Sequence, residues 1–449
     1  MSGETTIEGW GRTAPVRARV LRAGTADEVP LLVAKSGPRG TLPRGLGRAY
    51  GDAAQNEGGD VVDLTGARRV LGFDAVRGTI RVEAGLSLDE LMRLSVPRGW
   101  FPGVTPGTRY VTVGGAIAAD VHGKNHHRDG SFSNHVESFT LATPRFTQDV
   151  TPTSDPELFW GTAGAMGLTG VVTEATLRLL PIETAMIRVD TERCDDLDDV
   201  MGRMLEGDHR YRHSVAWVDM FARGRRMGRA VLTRGDHARL EDLPAGDRAR
   251  ALDFAPGTLL GAPPWVPTWL LNRATVLAFD ELYFRRAPRR RTGEIVGLTP
   301  FFHPLDAITG WNRLYGRPGF FQYQFVVPDE ATAAVRAVVE RVSAERCAFL
   351  AVLKRFGPGN PGPLSFPRPG WTLAMDMPAR ADRPGFLDGL DRIVLDAGGR
   401  LYLAKDNRVP RDTFRAMMGR ADLEAFARLR DRVDPERVLQ SDLSRRLGL

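Results

Sequence analysis

The segment formed by residues 43–53 combines glycine with arginine in a way that suits a bound polyanion. It reads Pro-Arg-Gly-Leu-Gly-Arg-Ala-Tyr-Gly-Asp-Ala, with three glycines in seven consecutive positions. Glycine lets a backbone approach a ligand closely, and consecutive amide N–H groups can then cradle phosphate oxygens beside guanidinium charge. The segment is neither a Walker A sequence nor a Rossmann turn with G-x-G-x-x-G spacing. It therefore indicates either a phosphate-binding loop of another kind or an ordinary glycine-rich turn.

Two further glycine-rich segments follow in the sequence. Residues 106–123 place Gly107 and Thr112 ahead of the run Val-Gly-Gly-Ala, and residues 161–170 lead into a predicted strand that contains Val172. Small side chains leave room for a large ligand against the backbone, but a closely packed helix would need them as well. Alone, these segments leave both interpretations open.

Four of the eight histidines, His122, His126, His127 and His135, lie within fourteen residues. A metal site is the obvious suggestion for such a cluster. However, adjacent histidines do not readily ligate one ion, and no acidic residue stands at a ligand spacing here. We therefore predict no metal. A structural histidine network and a polar cluster in an active site both stay open.

The chain has only four lysines against fifty-seven arginines. Where arginine is the default cation, a lysine can mark a site that needs a compact ammonium or a titratable amine. Three of the four, Lys124, Lys354 and Lys405, fall in dense, motif-like stretches. We regard these three as candidates for chemistry.

Length and composition limit the class of protein. The 449 residues are 42% hydrophobic with a net charge of +6, enough for two or three domains with cores. No run approaches the roughly 18–20 apolar residues of a membrane span. The N-terminal residues lack a Sec-type signal pattern. Cys194 and Cys347 are too few for a disulfide framework and favour a reducing compartment. Arginines are spread along the chain among 55 acidic residues, so we predict no nucleic-acid partner.

Strands and short helices alternate in the first part of the chain, which predicts an α+β fold. Ser87 and Glu90 form a capping-box pattern ahead of a predicted helix at 88–94. Beyond Pro181, amphipathic segments become longer. The predicted strands are 61–64, 79–83, 170–177 and 321–327, and the further predicted helices begin at 155, cover 331–344 and fill much of 412–449.

In their order and separation, the three glycine-rich segments resemble the vanillyl-alcohol oxidase type of FAD-binding protein. Within that family the chain is similar to the flavoprotein subunits of decaprenylphosphoryl-β-D-ribose 2′-epimerases, which serve arabinan synthesis in actinobacterial cell walls. The runs that carry this closer similarity are residues 45–52, 122–127, 321–327, 354–358, 364–367 and 401–406.

The resemblance implies FAD as the cofactor. In covalent members of the family a histidine of the first loop is attached to the flavin, and here Tyr50 stands at that place. Because tyrosine has no imidazole, we expect FAD to bind without a covalent bond. The positions that match FAD contacts in relatives are Arg44, Gly45, Leu46, Gly47, Arg48, Ala49, Tyr50, Gly51, Asp52, Ala53, Gly107, Thr112, Val113, Gly114, Gly115, His122, Val172 and Tyr402.

The resemblance also implies a reaction, in which the ribose 2′-hydroxyl is oxidised to a ketone and hydride passes to the flavin. A separate nicotinamide-dependent short-chain reductase would complete the epimerisation. Lys405 is the first candidate for a catalytic ammonium, and His122 would face the flavin or accept the proton. The residues expected to line the sugar and phosphate pocket are Gln322, Gln324, Lys354, Trp217 and Tyr50, although Lys354 could also be a surface lysine.

Three domains are implied: an FAD-binding domain at 1–183, a substrate-binding domain on an antiparallel sheet at 184–399, and a C-terminal segment at 400–449 that returns to the first. Residues 262–291 combine Trp265, Trp269 and other aromatic residues with a cluster of arginines. Such a segment suits a flexible lid or a membrane-facing loop, and a solvated surface loop is the alternative. We expect peripheral contact with the cytoplasmic face of the inner membrane, with the periplasmic side left open.

Two positions depart from the pattern of the relatives. Many relatives carry a cysteine where this chain has Ala374, and some carry a tyrosine where it has Phe302. We expect turnover without that sulfur, and a missing pocket hydroxyl. The main alternative function is an alditol or sugar-lactone oxidase of the same fold, which usually has a histidine in the first loop. A further alternative is a protein with the flavin-binding fold but without catalytic activity. The presence of Lys405, Gln324 and His122 argues against this alternative.

Overall fold

The computed structural model describes residues 3–258, 260–263 and 271–449. Within them, helices combine with a mixed sheet of four strands and antiparallel sheets of six and eight strands. This confirms the predicted α+β class with an antiparallel sheet in the second half.

The four-stranded sheet contains the first glycine-rich segment at one of its edges. Its order is β1 (Gly3–Ile7), β2 (Val16–Arg22), β4 (Asp60–Asp63) and β3 (Thr41–Arg44). Helix α1 (Val29–Ala34) packs beside it, with Val29 and Val33 buried against Val62. Strand β3 ends at Arg44, so the predicted phosphate loop begins where the strand stops.

The six-stranded sheet carries the other two glycine-rich segments. Its central strand β10 (Val171–Pro181) lies between β6 (Thr79–Glu83) and β8 (Val136–Ala142) and also pairs with β7 (Trp100–Pro102). The outer strands are β5 (Val70–Asp74) and β9 (Thr147–Val150), and the helices of this part are α2 (Leu88–Ser95), α3 (Val113–Ala118), α4 (His126–Asp129) and α5 (Pro156–Thr162). The capping box of Ser87 and Glu90 is confirmed at the start of α2.

The eight-stranded sheet is antiparallel throughout and occupies the second half of the chain. Its order is β15 (Arg290–Gly297), β11 (Met186–Cys194), β13 (Ala230–His237), β12 (His213–Val218), β18 (Leu350–Phe356), β19 (Gly370–Pro378), β17 (Phe320–Val327) and β20 (Arg400–Leu401). The accompanying helices are α6 (Leu197–Gly207), α7 (Arg273–Arg286), α8 (Leu298–Phe302), α9 (Thr332–Glu345) and α10 (Arg383–Asp396), and β14 (Leu260–Gly261) pairs with β16 (Ile308–Thr309).

Side chains alternate between the two faces of this sheet, because successive residues of a strand point to opposite sides. Phe325, Leu353 and Leu373 belong to the largest buried apolar cluster, together with Val335 and Val338 of α9. The intervening positions on the opposite face carry polar residues among apolar ones, and the polar residues are Gln322, Gln324, Lys354, Thr372 and Asp376. One face is therefore committed to the core, and the other is free to line a site.

The C-terminal helices α11 (Arg411–Met418), α12 (Arg420–Val433) and α13 (Asp442–Leu447) contact both halves of the protein. Strand β20 pairs with β17 in the eight-stranded sheet, whereas α12 packs against α5 and α13 packs against residues 52–54. The segment thus bridges the two halves. The domain limits at 183 and 399 stay predictions.

The prediction of a loop at residues 262–291 is wrong for much of its length. Residues 273–286 form α7, whose N-cap Asn272 accepts hydrogen bonds from the backbone N–H groups of Ala274 and Thr275. Residues 290 and 291 begin the edge strand β15. The sequence has no clear apolar periodicity here because much of the apolar surface of α7 faces outward. Trp265 and Trp269 lie outside the described residues.

Candidate active site

The three glycine-rich segments meet at one place. A Cβ atom at Gly45 would collide with the Thr112 hydroxyl, and one at Gly114 would lie 3.6 Å from the Val172 carbonyl oxygen. Thr112 caps α3 by accepting a hydrogen bond of 3.1 Å from the Gly115 N–H group. The small residues at these positions therefore allow close approach of loop, helix and strand.

The far end of the first loop packs against residues 402–406. The Tyr50 N–H group donates to the Ala404 carbonyl at 2.8 Å, and a Cβ atom at Gly51 would collide with the Asp406 carbonyl. The Tyr402 hydroxyl donates to the Ala119 carbonyl, at the end of α3, at 2.7 Å. Residues from distant parts of the sequence thus line the same space.

Charged side chains of the loop fix its shape. The Arg44 guanidinium donates to the carbonyls of Ala54 and Glu8, and Arg48 stacks 4.0 Å from the Trp10 ring. Asp52 forms two bonds of 2.8 Å with Arg446 of α13, and Ala53 is buried in the core. The Leu46 carbonyl accepts a hydrogen bond from Arg48 and the Ala49 carbonyl accepts one from the Trp10 N–H group, so at these two positions it is the amide N–H groups that could contact a ligand.

The polar face of the eight-stranded sheet brings predicted substrate residues together. Gln322 lies opposite Asp376, Gln324 opposite Ala374, and Lys354 opposite Thr372 on adjacent strands. The Gln324 amide nitrogen is 2.9 Å from Nε2 of His122 and donates to the Thr372 hydroxyl at 3.2 Å. This pair joins the sheet to the segment that follows α3.

Lys405 lies where the sheet meets the glycine loop, with its Nζ atom 3.8 Å from the centre of the Tyr50 ring. Burial and the nearby Lys354 lower the pKa of Lys405 to about 7, against the opposing effect of Asp376. Burial also lowers the pKa of Lys354 to about 8. Both amines therefore titrate near neutral pH.

Two neighbours of this cluster were not assigned a role from the sequence. Asp376 is 1% exposed and accepts a hydrogen bond of 2.6 Å from Gln322, and burial raises its pKa to about 7. Lys124 donates to the Phe301 carbonyl, and burial together with Lys354 lowers its pKa to about 7. The rarity of lysine pointed to Lys124, whereas Asp376 becomes visible only when the strands are in register.

The histidine cluster divides into one site residue and three supporting residues. His122 is buried between Phe356 and Tyr402, and its Nδ1 atom has no hydrogen-bond partner within the described residues. Burial and Lys354 hold the pKa of His122 well below its ordinary value. His127 bonds to the Tyr211 carbonyl, His135 bonds to the Asp129 carbonyl, and His126 packs on Phe356. In the described ranges, no cluster of three or more metal-ligating side chains occurs.

Two further predicted positions lie away from this centre. Trp217 is on the same face as Gln324 but three strands across, at roughly 14 Å for a strand spacing of about 4.8 Å. Its ring is 4.8 Å from Tyr283 of α7. Phe302 is 3% exposed and packs against Phe101 and His213 in the core. The place of Phe302 is therefore apolar, and a hydroxyl there would need a buried partner.

Comparisons with known proteins bear on this geometry. The model of an FAD binding domain matches residues 18–146. The chain is 44% identical to decaprenylphosphoryl-β-D-ribose oxidase of Mycolicibacterium smegmatis over 99% of this chain and 97% of that protein. It belongs to the decaprenylphosphoryl-β-D-ribose oxidase family.

Other relatives are less informative. An uncharacterized Streptomyces coelicolor protein is 43% identical over 81% of this chain and 100% of that protein. L-gulono-1,4-lactone dehydrogenase of Mycobacterium tuberculosis is 23% identical over 95% of both chains. As a member of the oxidase family, the chain is an FAD-dependent oxidoreductase, which confirms the predicted enzyme class and cofactor.

The residues present fit FAD in three respects. Gly45 and Gly51 are crowded by Thr112 and by Asp406, whereas nothing lies within 4 Å of a Cβ atom built at the exposed Gly107. The buried Nδ1 atom of His122 is an unused donor or acceptor. Tyr50 provides no imidazole for a covalent link. Which of the predicted residues touch FAD stays a prediction.

The sheet register predicts that a thiol introduced at Ala374 will be reactive toward small alkylating reagents and will lie within the site. We expect Ala374→Cys to reduce its flavin with substrate at a rate within a few-fold of wild type. Alkylation with iodoacetamide should then abolish this reduction, and substrate should slow the alkylation. The measurement is stopped-flow flavin reduction together with mass spectrometry of the labelled peptide.

Wild type is the first control, because Cys194 and Cys347 are buried and burial raises their pKa values to about 12 and about 11. Only the thiolate reacts readily, so both should stay unlabelled. Ala351→Cys is the matched control, since Ala351 lies on the neighbouring strand but points into the core. Labelling of Ala351→Cys at the rate of Ala374→Cys would contradict the assignment of faces.

Proposed function

We propose that the protein oxidises the 2′-hydroxyl of decaprenylphosphoryl-β-D-ribose to the 2′-ketone, as the first half of an epimerisation to the arabinose. The observation that carries the proposal is the cluster of Lys354, Lys405, Gln324 and His122 beside the glycine loop at Tyr50. It occurs in a chain 44% identical to an oxidase of this name. When bound, FAD supplies the acceptor for the hydride.

The electrostatics of the cluster favour a phosphorylated substrate. Lys124, Lys354 and Lys405 are all buried, and Lys354 is close enough to lower the pKa of Lys124 and that of Lys405 in addition to the effect of burial. Asp376 is the carboxylate that opposes them at Lys405. A phosphate in this space would relieve the repulsion among the amines and raise their pKa values. A neutral alditol or lactone would not.

Lys405 is better suited than His122 to accept the hydroxyl proton. The pKa of Lys405 is about 7, so near neutral pH a large fraction of the amine is uncharged and able to accept a proton. His122 has a pKa well below its ordinary value, and its Nε2 atom faces the Gln324 amide. His122 then orients Gln324 and offers Nδ1 to a ligand.

The apolar surface of α7 supports a place at a membrane. Phe279 and Leu282, which lie on one side of the helix, are 56% and 58% exposed, and arginines 285, 286, 289, 290 and 291 follow on the surface. Apolar side chains beside basic ones are typical of segments that lie on anionic lipid. In the described residues no helix could span a membrane. We propose that α7 rests on the lipid that holds the decaprenyl chain.

The proposed reaction product implies one protein partner. A 2′-ketone must be reduced on the opposite face to give the arabinose, so we propose a separate nicotinamide-dependent short-chain reductase as the consumer of the product. The cytoplasmic face of the inner membrane stays a prediction.

The substrate can be tested by anaerobic reduction of the flavin. We expect the absorbance of oxidised flavin to bleach on mixing with a prenylphosphoryl-β-D-ribose, and to persist with xylitol or L-gulono-1,4-lactone. Bleaching by the free sugar or lactone alone would replace this proposal by the alditol or lactone oxidase. A 2-deoxyribose analogue is the matched control, because it lacks the hydroxyl that reacts.

The proposed role of Lys405 as proton acceptor predicts how the rate of flavin reduction depends on pH. Because the neutral amine is the acceptor, the rate of flavin reduction should rise with pH and level off, with a midpoint at about 7 or above once the phosphate is bound. Lys405→Met should reduce the rate roughly 10²–10⁴-fold, and Lys405→Arg should not restore it. Lys35→Met, at an exposed lysine, is the control. A rate that falls as pH rises through 7 would assign the charged ammonium instead.

Membrane contact through α7 can be tested with vesicles. The double variant Phe279→Ser and Leu282→Ser should lose most co-sedimentation with anionic liposomes, since it removes exposed apolar area at about 25 cal/mol per Å². Its activity on a short-chain, water-soluble substrate should stay within two-fold of wild type. Leu31→Ser and Val76→Ser alter residues elsewhere that are at least as exposed, and they should change neither the sedimentation nor the activity. Equal sedimentation of all variants would exclude α7 as the contact.

A further inference from the structure

Asp376 is a buried carboxylate to which the proposed reaction gives no role. It lies on β19 directly opposite Gln322 of β17, on the face of the sheet that lines the site. The residue is 1% exposed, and its Oδ1 atom accepts a hydrogen bond of 2.6 Å from the Gln322 amide nitrogen. Its Oδ2 atom has no hydrogen-bond partner in the part of the chain that the structure describes. A buried carboxylate with only one oxygen satisfied costs free energy, so its presence beside the site indicates a role there.

The hydrogen bond to Asp376 fixes the orientation of the Gln322 amide. An ionised carboxylate only accepts hydrogen bonds, so the amide nitrogen must face Asp376 and the carbonyl oxygen must face away from it. Gln322 is partly exposed on the face of the sheet that lines the site. Its carbonyl oxygen is thus able to accept a hydrogen bond from a sugar hydroxyl.

Asp376 is also the carboxylate that acts on Lys405. Burial lowers the pKa of Lys405, and the negative charge of Asp376 opposes that shift. Within the described residues Lys405 makes no ion pair, and its Nζ atom lies 3.8 Å from the centre of the Tyr50 ring. A direct ion pair would hold the amine charged at neutral pH, whereas a carboxylate farther away leaves it able to lose its proton. This arrangement suits an amine that must be neutral before the reaction and charged after it.

We propose that Asp376 is a positioning residue of the oxidation, which fixes the Gln322 amide and is the counter-charge of the Lys405 ammonium. The inference rests on the proposed function, in which the Lys405 amine accepts the hydroxyl proton. The O–H bond breaks as the proton moves to Nζ, and its electron pair forms the second C–O bond while hydride leaves the same carbon for the flavin. The resulting ammonium is stabilised by Asp376 and by the face of the Tyr50 ring.

Other titratable groups face the pair of Asp376 and Lys405 from several elements. They are Lys354 on β18, His122 after α3, Tyr50 in the glycine loop and Tyr315 ahead of β17. Burial holds the pKa of His122 well below its ordinary value and the pKa values of both tyrosines well above theirs, so these three stay neutral near pH 7. Lys354, whose pKa burial lowers to about 8, titrates in the same range as Lys405. A test must therefore change the charge of Asp376 alone.

Asp376→Asn removes the charge with little change in size, and competitive acetylation reports the pKa of Lys405 without turnover. FAD-loaded protein is treated with trace acetic anhydride between about pH 4 and pH 9, and mass spectrometry follows the peptide that carries Lys405. Only the neutral amine is acetylated, so the labelling midpoint should lie at about 7 in wild type and about 1–3 pH units lower in the Asn variant. The exposed Lys35 is an internal reference and should be labelled equally in both proteins.

Anaerobic flavin reduction by a short-chain prenylphosphoryl-β-D-ribose tests the consequence for the reaction. In the Asn variant the rising limb of the rate against pH should move to lower pH. The plateau should fall about ten-fold or more, because the ammonium then forms without its counter-charge. Asp376→Ser is a second uncharged variant, and thermal unfolding checks that each variant is folded.

Asp280→Asn is the matched control. Asp280 is also buried, at 2% exposed, but it lies on α7, so this variant should equal wild type in both measurements. An unchanged labelling midpoint of Lys405, or an unchanged rate of reduction, in the uncharged variants of Asp376 would overturn its role. A wild-type protein whose flavin the substrate does not bleach would overturn the proposed function itself, and the role of Asp376 with it.

Discussion

The two-residue alternation along the eight-stranded sheet governs both the core and the site. Strands β17, β18 and β19 put Phe325, Leu353 and Leu373 on the face that packs against helices. The same alternation puts Gln324 and Lys354 on the other face. A shift of one residue in any of these strands would exchange the two sets and bury amines in an apolar core. The side chains of the candidate site on these strands are thus held in place by the free energy that packs the opposite face.

Charge in the site is balanced only in part by the protein. Burial places the pKa values of Lys124, Lys354, Lys405 and Asp376 between about 7 and about 8. A group in this range changes its protonation state when one charged ligand arrives, because each opposing charge shifts the pKa. The site is therefore prepared to take up an anion and to exchange a proton in the same place. This requirement explains why lysine stands here in a chain that elsewhere uses arginine.

Local rules in the sequence predicted the elements, and the resemblance predicted which of them meet. Ser87 with Glu90, the strand at 79–83 and the strand at 321–327 follow from capping and alternation, and the structure has all three. The sequence could not identify Asp376 as a site residue. Its place in the site depends on the pairing of two adjacent strands, which puts it opposite Gln322. The four histidines were equally ambiguous in sequence, since their separation into site and support depends on aromatic neighbours from distant segments. The same holds for α7, whose outward apolar side chains mask the helical pattern.

Contacts with the C-terminal residues hold the end of the glycine loop, in addition to the burial of Ala53 in the core. Arg446 of α13 bonds to both carboxylate oxygens of Asp52 at 2.8 Å and to Asp406 at 2.9 Å. One guanidinium therefore ties the end of the loop to the residue next to Lys405. Partly buried, bidentate pairs of this kind fix geometry more strongly than exposed pairs do. Because Gly51 also lies directly against the Asp406 backbone, the loop is packed against the residue next to Lys405, whose amine lies above the Tyr50 ring.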